Sequence, residues 1–136
     1  MRGEARQLKR DMEIVREILC KISDAPGKPD HGVLVEGKSP DEAERILYHV
    51  ELLEQAGLLT GQALGGLGMP SKIWADLDLT WAGHDFVDAI RDPQVWKETK
   101  QGLNDVGSFT FDLVKALAKG FIRKKIEEHT GVKLEF

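Results

Sequence analysis

The 136-residue chain has one cysteine, Cys20, so no intramolecular disulfide can staple it, and a reducing cytoplasm is the expected setting. Its apolar runs are only a few residues long, far short of the roughly 20 needed to cross a bilayer. The start, Met1-Arg2-Gly3-Glu4, lacks the charged and then apolar pattern of a secretory signal. An excess of positive charge is missing too: 19 Lys and Arg stand against 23 Asp and Glu, a formal net charge of −4, whereas nucleic-acid binders usually carry a basic surplus. There is no tandem repeat and no low-complexity tract. What is there, 41% hydrophobic and 31% charged residues, is the composition of a folded domain, and the length fits one core.

Apolar residues at steps of three and four (Leu8, Met12, Val15, Ile18, Leu19, Ile22) predict a first helix over residues 8–22, with Glu13 and Glu17 placed to pair with Arg16 or Lys21. Two prolines and a glycine at 26–29 end it, and Val33, Leu34 and Val35 read as a short strand. Ser39-Pro40-Asp41-Glu42 is the strongest local signal: a serine cap, a proline at the first helical position and a glutamate three after the serine satisfy the free amides of a helix start. That helix has Ala43, Ile46, Leu47, Val50 and Leu53 on its core face and closes at Gly57. Tyr48 and Leu52 sit on an adjacent flank. Residues 58–64 and 73–80 flank a Gly- and Pro-containing loop and predict a hairpin. Its second strand alternates Ile73, Ala75, Leu77 and Leu79 toward the core with Trp74, Asp76 and Asp78 toward solvent. Thr80 caps a helix that buries Phe86, Val87, Ala89 and Ile90; Asp92-Pro93 starts another that uses Val95, Trp96 and Leu103 and ends at Gly107; residues 108–128 form the last.

The fold class read from this order is mainly α with a small β-hairpin (α+β), a winged-helix-like core over 8–79 followed by a C-terminal helical extension over 80–130, within one domain of residues 1–136. In a winged helix the helix before the hairpin lies in the major groove and the hairpin is the wing. Residues 39–57 have room for one ordinary helix where a full helix-turn-helix needs two, so the form is a reduced or variant one.

Lys9-Arg10-Asp11-Met12 with Ile14-Val15-Arg16, the run from Tyr48-His49-Val50 through Gly57-Leu58, the block from Leu79-Thr80-Trp81-Ala82-Gly83-His84 to Asp92 with Trp96, and Ser108-Phe109-Thr110-Phe111-Asp112 together resemble the bacterial and phage family known as domain of unknown function 2513. The resemblance covers nearly the whole chain, most specifically residues 80–96. It implies a small winged-helix protein and, through where the family occurs, a phage or mobile-element setting; the family carries no established catalytic residues to transfer.

Local charge weighs on the function. The helix expected to read DNA holds Arg45 against Asp41, Glu42, Glu44, Glu51 and Glu54, and residues 57–79 hold only Lys72 against Asp76 and Asp78, so phosphate repulsion opposes the usual docking. Basic residues lie at the ends, where Arg6, Lys9, Arg10, Lys115, Lys119 and Arg123 are the candidate nucleic-acid contacts; the plainer reading is two solvated helix faces laced with carboxylates. Trp74, on the outward strand face, with Tyr48 and Leu52, is the candidate protein contact. His31, His49, His84 and His129 lack the spacing of a metal site, His84-Asp85 has no nucleophile tied to it, and the glycines at 61–68 do not match a phosphate loop, so no catalytic residue, cofactor or metal is expected. Cys20 reads as a small buried hydrophobe. The long apolar stripe over 109–126 is a candidate for homodimer formation. The expected function is a non-enzymatic binding module, a transcriptional regulator of a phage or mobile element by architecture, or an adaptor that binds protein and not nucleic acid by charge.

Overall fold

The structure is a computed structural model that describes residues 9–65, 73–106 and 110–134. It is mainly helical with one antiparallel hairpin, in the order α1 (Met12–Asp24), α2 (Gly32–Val35), α3 (Pro40–Gln55), β1 (Leu59–Leu64), β2 (Ile73–Leu79), α4 (Trp81–Ile90), α5 (Pro93–Val106) and α6 (Phe111–Thr130). The α+β, mainly α class follows. Two compact units divide the chain, the first ending at His84 and the second beginning at Asp85, inside α4.

In the first unit, α1 starts at Met12, four residues after the expected start, because Asp11 caps it: its carboxylate accepts the Glu13 amide at 2.9 Å. Met12, Val15, Ile18, Leu19 and Ile22 are buried, as the spacing predicts. Outside, Glu17 pairs with Lys21 at 2.9 Å and with Lys38 at 3.2 Å, which holds its carboxyl below the usual range.

The strand expected at 33–35 is instead the single helical turn α2. Asp30 accepts the Gly32 amide at 2.8 Å and bends the backbone into a turn, and the turn buries Leu34 alone. Extended pairing does occur, a few residues earlier. The His31 amide donates to the Trp74 carbonyl at 2.9 Å and the Leu77 amide donates to the Pro29 carbonyl at 2.8 Å, so this segment lies along the outer edge of β2.

The capping box of α3 is present in both halves: Ser39 Oγ accepts the Glu42 amide at 3.2 Å and Glu42 accepts the Ser39 amide at 3.3 Å. Ile46, Val50 and Leu53 are buried, with Ala43 and Leu47 half-buried. Gly57 closes the helix at φ +79°, a conformation that costs glycine little.

The hairpin pairs Leu59 with Leu79, Thr60 with Asp78, Gln62 with Ala75, Ala63 with Trp74 and Leu64 with Ile73. Between the second and third pairs β2 advances three residues while β1 advances two. The extra residue bulges at Asp76, which takes a left-handed φ of +53°. A one-residue offset exchanges the two faces of a strand. Leu79 and Leu77 point inward below the bulge, and Trp74 points inward above it, 3% exposed. The expectation that Trp74 faces solvent is therefore corrected. Its ring lies over Gly61, where a Cβ would come within 3.2 Å of Trp74 Cε3 and 2.9 Å of a Leu77 methyl. The expected loop tip at residues 66–72 lies outside the described residues.

Thr80 ties the hairpin exit to the end of α3 and caps α4. Its amide donates to the Leu58 carbonyl at 3.1 Å, its hydroxyl donates to the Gly57 carbonyl at 2.6 Å, and the same oxygen accepts the Gly83 amide at 3.0 Å.

In the second unit, Phe86, Val87, Ala89 and Ile90 of α4 are buried as expected, and Phe86 meets Phe111 edge to face at 5.5 Å. Asp92 caps α5 by accepting the Gln94 and Val95 amides at 2.8 and 3.1 Å, and Val95, Trp96, Thr99 and Leu103 are its buried side. Thr110 caps α6, which begins at Phe111, three residues after the start expected at 108, and Gly131 at φ +74° ends it. The expected stop at Gly107 lies outside the described residues. On α6 only Val114 and Ala118 are fully buried; Phe111, Leu117, Phe121 and Ile122 are half-buried.

Candidate interaction surface

Helix α3 is presented on the first unit with its acidic side outward. Asp41, Glu42 and Glu54 are exposed and Glu44 and Glu51 half-exposed. Its single cation, Arg45, is turned back onto Asp11, with Nη2 3.3 Å from the carboxylate. The helix that would enter a DNA groove therefore offers carboxylates with its arginine already engaged, the reverse of the donor set that base edges require.

One turn along α3 lies a buried residue that the expected core face of Ala43, Ile46, Leu47, Val50 and Leu53 left out. His49 is 1% exposed, between Ile46 and Leu53. Its Nε2 accepts the Asp11 amide at 2.8 Å, and its Nδ1 donates to the Arg45 carbonyl at 2.7 Å. A backbone amide only donates and a carbonyl only accepts, so the ring is neutral with its proton on Nδ1. Burial is the foremost cause pushing its pKa below the ordinary value, and the neighbouring Arg45 charge adds to it.

The tryptophan on the outside is Trp81. It is 88% exposed at the first position of α4. The inner side of that helix runs through Gly83, Phe86, Val87 and Ile90, which leaves Trp81 and His84 on the outer side, and this much could be read from the helical spacing. Because Thr80 is bonded to the Gly57 and Leu58 carbonyls, Trp81 follows directly from the turn that closes α3. Tyr48 and Leu52, candidates with Trp74, are half-buried, and Tyr48 is edge-on to His49 at 5.8 Å.

The candidate nucleic-acid contacts fall in both units. Lys9 and Arg10 are exposed just before α1, and Arg6 lies outside the described residues. In the second unit Lys115 and Lys119 converge on Asp85 at 2.7 and 3.7 Å, Lys125 meets Asp92 at 2.6 Å, and Arg123 has a partner as well. Hydrogen bonds from Lys115 and Lys125 hold the Asp85 and Asp92 carboxyls below the usual range. The lysine row on α6 is thus laced with carboxylates. A groove beside it is lined by Val95, Ile122 and Ile126 together with Asp88, Asp92, Lys125 and His129. Among the described residues no three His, Cys, Asp or Glu side chains gather as metal ligands would, and no helix is long and apolar enough to cross a membrane. Cys20, expected to be buried, is half-buried.

The molecule is thus a mainly helical, hairpin-bearing chain whose presented helix is acidic. It belongs to the family of hypothetical proteins DUF2513, which matches residues 9–110. It is also 30% identical over 120 residues to an uncharacterized protein of Haemophilus influenzae strain Rd, covering 88% of this chain and 99% of that protein. No solved structure matches.

Proposed function

We propose that the protein is a non-enzymatic, winged-helix-like binding module whose partner is another protein. The observation that carries this is the charge of α3: five carboxylates on the presented helix and an arginine spent on Asp11. Such a surface repels phosphate and favours a basic protein surface. Trp81, a large aromatic left in water beside the end of that helix, supplies the kind of anchor that dominates protein interfaces.

The test is affinity capture from host lysate with and without nuclease, comparing wild type, Trp81→Ala and the triple change of Glu44, Glu51 and Glu54 to Gln. A partner retained by wild type and lost from both variants supports the reading. A partner retained by both, or one released by nuclease, refutes it.

A second reading, a transcriptional regulator of a phage or mobile element, is favoured by the arrangement of elements. Two helices, α2 and α3, precede the hairpin, and the Pro29 to His31 segment adds a third extended edge to it, as in winged helices. Its contacts would be the end residues Lys9, Arg10, Lys115, Lys119 and Arg123. Salt-sensitive binding to duplex DNA at micromolar protein is its expected signature; a flat titration at low salt removes it.

A further inference from the structure

We infer that His49 is a proton-operated latch that fastens the start of α1 to α3 and lets it go when the ring is protonated. Two bonds from α3 converge on Asp11: its amide is held by His49 Nε2 at 2.8 Å, and its carboxylate by Arg45 at 3.3 Å. The same carboxylate caps α1 through the Glu13 amide. A proton added to Nε2 sets two N–H donors against each other across that 2.8 Å, so the amide bond is lost. It also creates a buried imidazolium beside the Arg45 guanidinium.

The other groups around the contact do not rescue it. Asp11, the acid at the cap of α1, favours the charged ring, but burial outweighs it, and its carboxylate is shared with Arg45 and the Glu13 amide. Glu17, Lys38 and Glu42 line the crevice next to the contact. Of these, Glu17 is paired with Lys21 and Lys38, and Glu42 is committed to the capping box. On α3 itself the Arg45 carbonyl accepts from His49 Nδ1 and the Tyr48 ring stands edge-on to the imidazole.

The release is local. Beyond its first turn α1 is held by Val15, Ile18, Leu19 and Ile22, each no more than 4% exposed, and none of these contacts titrates. The neutral ring is favoured in the folded protein, with burial as the main cause of its lowered pKa. The latch is therefore closed above the ordinary histidine value of about 6.5 and opens as pH falls below it. What opens is the point from which Lys9 and Arg10 lead into the helix.

The experiment is amide hydrogen exchange on the full chain from pH 7.5 to 4.5, corrected for intrinsic rates, beside an NMR titration of the His49 ring nitrogens. At neutral pH the spectrum should show the Nδ1–H form. Protection at Asp11 and Glu13 should fall at least tenfold with the midpoint of the His49 titration, while Ile18, Leu19 and the paired hairpin amides keep theirs. His49→Gln, which takes no proton in this range, should abolish the transition; if that variant does not fold, the wild-type profile decides alone. Unchanged protection at Asp11 and Glu13 through the His49 midpoint overturns the latch. So does a loss of protection shared equally by Ile18, Leu19 and the hairpin.

Discussion

Replacing Gly83 with alanine should cost far more than a helical Gly→Ala change normally does. Gly83 is the third residue of α4, and a Cβ there would overlap the Leu58 carbonyl oxygen, lie 3.0 Å from the Leu58 carbonyl carbon and 3.3 Å from Leu79 Cβ. The obstacle is backbone, so no rotamer change relieves it. Leu58 is itself pinned, because its carbonyl accepts the Thr80 amide and the adjacent Gly57 carbonyl accepts the Thr80 hydroxyl. Overpacking of this kind costs about 1–3 kcal/mol. Pulling α4 away to make room endangers one or two hydrogen bonds, each about 1 kcal/mol. Against this stands a helix-propensity gain of at most about 1 kcal/mol. The net expectation is a loss of about 3 kcal/mol, or roughly 10 °C in Tm for a chain of this size. Gly120→Ala is the matched control: that glycine lies within α6 and nothing approaches a Cβ built on it within 4 Å, so alanine should stabilise by about 0.5–1 kcal/mol. Urea unfolding followed by circular dichroism reads both variants. If Gly83→Ala falls within about 0.5 kcal/mol of wild type, or Gly120→Ala is the more destabilised of the two, the reasoning fails.

Truncating the two tryptophans should separate in the same assay: Trp74→Ala loses about 3–5 kcal/mol as a buried ring is removed, whereas Trp81→Ala stays within about 0.5 kcal/mol and instead removes the most red-shifted part of the tryptophan emission. Ser39→Ala, which deletes half of the capping box, should lower stability by about 1 kcal/mol, and Ser39→Asp should restore most of it. Asp85 and Asp92 have carboxyls held low by lysines, so their contribution is present above the unfolded carboxylate value of about 3.9 and is lost as pH falls through their folded values. Both sites face solvent; raising salt should shrink that acid-side loss, and a salt-independent acid limb would contradict the assignment.

The elements that could be read from the chain alone are those whose chemistry is local. Ser39 with Glu42, Thr80 with Gly83, and Asp92 with Val95 each satisfy a helix start within three residues, so the caps are written in consecutive positions. The misread elements depend on partners far away or on one irregular residue. Val33 to Val35 has the composition of a strand, but the turn at Asp30 comes first and the pairing with β2 is taken by Pro29 and His31. Strict alternation puts Trp74 in water; the bulge at Asp76 carries no signature in an aspartate and reverses the assignment. The same division holds for the candidate surface. The acidity of α3 is plain from the residues, and Trp81 was within reach of the helical spacing. The partner of His49 is 38 positions away, and only the folded chain brings Asp11 to it.

The segment that borders β2 also decides where this protein is open to unwanted company. With Pro29 and His31 along one side of the hairpin, β1 is the strand of this sheet, among the described residues, whose other edge has no strand paired to it. That margin bears Thr60, Gln62 and Ala63 in water and ends at Leu64, 49% exposed. Aggregation by strand addition would therefore start from β1, and a lysine in place of Gln62 is the smallest guard against it.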